Sequence, residues 1–165
     1  AKHELAKQQG ADPCIDYRTE DYVAALPRLP PARGVDFVLD ALGPRDWRKG
    51  YSILRAGGML ISFGVANVST GPSRNLVKVV GELARTPRHS PLALMNDNRA
   101  VGGVNMGHMW HEAEALRAAM LELVRMWQAG QVRPHVSAEL PFEQAAEAHA
   151  LLEEGKNVGK VVLVP

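Results

Sequence analysis

Cysteine is almost absent: Cys14 stands alone among 165 residues. One cysteine cannot close an internal disulfide, which suits a reducing compartment and gives the expectation of a cytoplasmic protein. Charge of one sign is also lacking. Nineteen Lys and Arg against 18 Asp and Glu leave a formal charge of +1. The basic residues form no run, so neither nucleic acid nor an anionic membrane surface is an expected partner. No apolar run spans a bilayer, because Arg55 and Gly57-Gly58 interrupt the best candidate. Aromatic residues are few, at 5%, and scattered. No initiator Met and no secretion signal are visible at Ala1.

What is there is alternation. The opening residues up to Gln9 read as a helix already under way, with Leu5 on one face and Gly10 as its stop. Pro13 to Tyr17 reads as a short buried strand. Thr19 is placed to cap a helix over about residues 20–26. Residues 27–34 carry three prolines and read as a loop. Val35 to Leu39 is nearly all apolar, as expected of a central parallel strand. A helix follows through about Leu54, and Met59 to Phe63 reads as a second buried strand.

The texture then weakens. Residues 75–83 suggest a helix, 86–98 show little periodicity, and 99–105 suggest a strand with glycines in it. Residues 111–128 give the clearest helix. Its stripe of Leu116, Met120, Leu123, Val124 and Trp127 is expected to be core. A strand at 135–138, a helix at 142–153 and a strand at 160–164 close the chain. Strands alternating with helices predict an α/β fold with a doubly wound, Rossmann-like parallel sheet. No repeat or second domain is evident. The length suits one domain with a real core.

Several stretches in order resemble the cofactor-binding half of the medium-chain dehydrogenase/reductases. They are Lys2-His3-Glu4 with Gly10-Ala11, Ile15 to Arg18, Gly34-Val35-Asp36 through Leu42-Gly43, and Leu54 through Gly58 into Ser62-Phe63-Gly64. The ending is similar too: Pro141-Phe142 through His149, then Asn157 to Leu163. The chain most resembles the zinc-independent quinone oxidoreductase branch. Within it, residues 64–76 and 98–107 look most like the vesicle amine transport protein homologues.

This resemblance implies that residues 1–165 are a partial dinucleotide-binding domain. In it the family's substrate domain, first cofactor-domain strand and Gly-rich turn would precede Ala1. The turn would bind the pyrophosphate through backbone N–H groups at a helix N-terminus, so the chain by itself is expected to be inactive. The whole enzyme would use NADPH to reduce quinones or activated alkenes and carbonyls. The resemblance also implies a homodimer whose sheet continues through strand 99–105.

Lys2 follows the place where the second strand of such a domain ends. Alone it reads as a solvated helix lysine; the resemblance puts there the cation that pairs with the 2′-phosphate of NADP. Tyr17 matches a tyrosine at the adenosine end, a role compatible with a half-buried strand residue. Leu42-Gly43 and Phe63-Gly64-Val65 end the two central strands, where open α/β sheets bind ligands. Val104-Asn105-Met106 matches the segment that brackets the nicotinamide, and Asn157 a late polar contact.

Nothing else stands out as catalytic. His108 and His111 lack the companions a zinc site needs, so no metal is expected. Cys14 reads as a small core residue and His149 as a partly buried helix histidine. No acid or base is singled out. A non-catalytic, membrane-associated interaction protein of the vesicle amine transport type and an inactive structural fragment are the alternatives.

Overall fold

A computed structural model describes residues 2–17, 19–26, 34–66 and 76–165. The chain divides into two compact units, each described by itself: residues 15–108, and residues 1–14 with 109–165.

The first unit is built on three parallel strands in the order β1-β2-β3: β1 (Val35–Asp40), β2 (Leu54–Ser62) and β3 (Ala100–Gly103). In the β1–β2 ladder Phe37 faces Met59, Val38 faces Leu60 and Asp40 faces Ser62. Alternate residues point to opposite sides. Val38 and Leu60 therefore share a face. Helix α3 (Pro44–Ser52) covers it, with Gly50 against both. Leu60 is 1% exposed and Leu54 2%. A Cβ on Gly50 would lie 2.8 Å from a Val38 methyl, so glycine sets how close α3 comes.

The other face is open. Phe37 and Leu39 are 65% and 67% exposed. β1 was expected to be a central buried strand; in the described sheet it is an edge. Pro13 to Tyr17 forms no strand. A strand is held by its ladder, and this segment joins none. Thr19 is not the cap of the next helix. Its hydroxyl donates to the Asp16 carbonyl, and Asp21 caps α2 (Tyr22–Ala25) by accepting from the Val23 N–H.

Beyond β2, helix α4 (Leu76–Ala84) lies where one was expected. Helix α5 (Pro91–Asp97) was not expected. Its signals are local: Ser90 accepts from the Ala93 N–H, Pro91 sits at N1, and Asn98 ends it in the left-handed region. Tyr51 ties α3 to α5 by donating to Asp97 at 2.8 Å, and its ring stacks with His89.

The second unit opens with helix α1 (Lys2–Gln8), stopped by Gly10 at φ +93°. A 3-10 turn at Trp110–Glu112 leads into helix α6 (Ala113–Gln128). Strands β4 (Val136–Pro141) and β5 (Lys160–Val164) form a parallel pair joined through helix α7 (Ala145–Glu153). The α6 stripe expected to be core is largely exposed: Met120, Leu123, Val124 and Trp127 all face out, Trp127 at 58%. His149 is exposed rather than partly buried, and Cys14 is half-buried. Helical period groups these residues on one face. It carried no information on what covers that face.

Leu60→Ala should cost about 2–5 kcal/mol, the usual range for a buried leucine. Denaturant unfolding checks this, and a loss below about 1 kcal/mol would show that the Val38–Leu60–α3 contact is not the core.

Candidate nucleotide-binding site

A parallel sheet brings all its strand ends of one kind to one edge. In the first unit the carboxyl edge gathers the turns after β1, β2 and β3. Nine of the eleven candidate residues lie in this unit: Tyr17, Leu42, Gly43, Phe63, Gly64, Val65, Val104, Asn105 and Met106.

The β1 turn is held from below. Asp40 is 7% exposed, and its Oδ1 accepts from the N–H groups of Leu42 (2.8 Å) and Gly43 (3.0 Å). Gly43 adopts φ +128° and starts α3, with Pro44 next. The β2 turn is stitched to it. The Asp40 carbonyl accepts from the Phe63 N–H and the Ala41 carbonyl from the Ala66 N–H, both at 2.9 Å. Gly64 sits so close that a Cβ there would lie 2.8 Å from the Ala41 oxygen. On the β3 side the Val104 N–H donates to the Ser62 carbonyl. The Asn105 side chain accepts from the Gly107 N–H and shapes its own turn. Phe63, Val65, Val104 and Met106 are all exposed, so this edge offers apolar surface on fixed backbone.

Tyr17 and Leu42 meet at a cavity of about 560 Å³ at the carboxyl end of β1, with Leu39, Asp40, Tyr22 and Lys49 also lining it. Lys49 pairs with Asp21 at 3.0 Å, which holds the Asp21 carboxyl below its usual range. Burial, with Asp46, Asp40 and Asp21 near, pushes Tyr22 up to about 12.

Lys2 and Asn157 lie in the other unit. Lys2 Nζ donates to the Gly155 carbonyl at 2.7 Å, just past the end of α7, where a cation complements the helix dipole. Asn157 Nδ2 donates to the Gly159 carbonyl. Sequence reasoning missed Asp40. Its one signal was an acidic residue two positions before Leu42-Gly43.

The family model for zinc-binding dehydrogenases matches residues 9–163. This chain belongs to that family. It is 39% identical, over its whole length, to the human synaptic vesicle membrane protein VAT-1 homolog, of which it covers 42%. The chain thus spans less than half the length of this relative. Two solved structures share the fold at TM-score 0.71. One is an NAD-dependent alcohol dehydrogenase, 27% identical, with 99% of this chain and 41% of that one covered. The other is a mycobacterial protein complexed with NADPH, 28% identical, with 99% and 47% covered.

The family's name raises zinc. Among the described residues no three His, Cys, Asp or Glu side chains come together as ligands. A zinc site needs three or four, so these residues do not supply one. Among them also, no helix is long and apolar enough to cross a membrane.

Tyr22 gives a pH prediction. Its folded pKa of about 12 lies above the ordinary 10, so the neutral phenol is favoured in the fold. The stability this contributes is present below pH 10 and is lost as pH rises through 12. Burial and the hydrogen bond to Asp97 also raise Tyr51, so spectrophotometric titration should find more than one late tyrosine, and Tyr22→Phe should remove the step near 12. Ordinary titration of every tyrosine would overturn the burial argument.

Proposed function

We propose that this chain is the cofactor-binding half of an NADPH-dependent oxidoreductase acting on quinones or activated alkenes and carbonyls. One observation carries the reading. Tyr17, which resembles the family's adenosine-end tyrosine, and Leu42, at the end of a central strand, line one cavity at the carboxyl end of that parallel strand, where such sheets bind nucleotides. The neighbouring NADPH complex supports the same cofactor class. The residues present fit a dinucleotide: Gly64 lets the β2 turn pack directly on Ala41, and Phe63, Val65, Val104 and Met106 offer apolar surface.

Bound there, the nicotinamide would supply hydride. The chain's own part is positional. Its turns hold the cofactor, and its apolar edge favours a hydrophobic acceptor over water. No side chain of this chain is assigned as acid or base. Lys2 is the residue we assign to the 2′-phosphate. Its present partner is a neutral carbonyl, and a phosphate makes the stronger, charge-assisted bond.

The β3 edge is the proposed dimer contact. β3 ends the described sheet, so one side of it is free to pair with a second copy. Cytoplasmic location is part of the same proposal. The human relative is named as a synaptic vesicle membrane protein, which favours a second reading: a membrane-associated interaction protein with little turnover.

The full-length protein should oxidise NADPH when given a quinone or an enone. No turnover with any acceptor, together with co-flotation with vesicles, would favour the second reading. Lys2→Ala should weaken NADPH about tenfold, the worth of one charge-assisted contact, and leave NADH nearly unchanged. Equal loss for both cofactors removes Lys2 from this role. Val101→Pro takes a backbone donor from β3, so sedimentation should show the dimer weakened. A variant that dimerises like wild type places the interface elsewhere.

A further inference from the structure

We propose that Asp40 is the positioning residue of the cofactor site, acting through the backbone of the two turns it joins. The inference rests on the nicotinamide reading above. Five of the candidate contacts, Leu42, Gly43, Phe63, Gly64 and Val65, sit on two turns. Asp40 joins both turns.

Its carboxylate and its carbonyl face different ways. Oδ1 accepts from the Leu42 and Gly43 N–H groups, while the main-chain oxygen accepts from Phe63. The first pair holds residues 42 and 43 in a turn whose second member needs φ +128°. The second bond, with Ala66 on the Ala41 carbonyl, fixes residues 63–66 against that turn. Gly64 then fits only because it lacks a Cβ.

Two consequences follow for any ligand. The Leu42 and Gly43 N–H groups are already engaged by Asp40, so this turn is not a phosphate cradle. It offers the exposed Leu42 side chain instead, while Gly43 is buried. Gly43 also brings no side chain to cap α3, and the Asp40 carboxylate lies at that positive helix end. The carboxylate thus serves turn and helix together, and a strand-end residue sets the position of the ligand edge.

The test uses the full-length protein with Asp40→Asn, Asp40→Ala and Gly64→Ala. NADPH affinity is read by fluorescence titration, and the Leu42 and Gly43 amides by hydrogen exchange. Asparagine keeps the acceptor oxygen, so D40N should bind NADPH within about threefold of wild type. D40A should bind about tenfold worse or more, with faster exchange at Leu42 and Gly43 and unchanged exchange in β2. G64A, which pushes the two turns apart, should lose affinity like D40A; it carries the test if D40A does not fold. Wild-type affinity in D40A, or in G64A where D40A does not fold, overturns the proposal. So does a D40N defect as large as that of D40A, because charge rather than the acceptor would then matter. If wild type binds no nicotinamide cofactor, the functional reading fails. Hydrogen exchange then decides for Asp40 alone: unchanged Leu42 and Gly43 amides in D40A reject the positioning role, and faster ones uphold it.

Discussion

Register between β1 and β2 decides where everything else in the first unit falls. Parallel pairing sets Asp40 level with Ser62, so both strands end together and their turns emerge side by side. A slip of one residue in either strand would turn its own Val38 or Leu60 away from α3. It would also part the Asp40 carbonyl from the Phe63 N–H. The same pairing that buries the core therefore aligns the candidate site. The site is a consequence of the sheet, built mostly from backbone, and only glycines at 43 and 64 let the turns close as they do.

Much of this was legible beforehand. The apolar runs at 35–39 and 59–63 read as strands and fall on β1 and β2, because side chains that pack on a sheet leave a local trace; β2 begins earlier than expected, at Leu54, takes in Gly57-Gly58 where a turn was expected, and ends at Ser62. Caps left a trace too, though a misread one: Thr19 and Asp21 are both good cap residues, and only geometry chose Asp21. Helix α5 escaped notice because seven residues hold too few turns to show a period. Its Ser-Pro start was the better clue.

Exposure shows where reading by pattern stops. The β1 run and the α6 stripe both have the composition of core. In the structure Phe37, Leu39 and Trp127 stand open. Hydrophobic periodicity states which face gains from burial; it does not name the surface that meets it.

The candidate site divides along a similar line. Glycines and apolar residues at strand ends are conspicuous in a sequence, because their backbone freedom and packing are intrinsic to residue type. Asp40 is not conspicuous. An aspartate at a strand end reads as a polar stop, and its importance comes from two N–H groups that reach its oxygen only when the turn has formed. Burying a carboxylate is costly unless its oxygens are satisfied. Its burial at 7% exposure is therefore itself the sign that it is holding something in place. Lys2 shows the reverse case. Its charge is visible in sequence, yet the fold gives it a helix-end carbonyl for company. That partner keeps the ammonium at the surface, so a stronger anion can displace the carbonyl without disturbing a core.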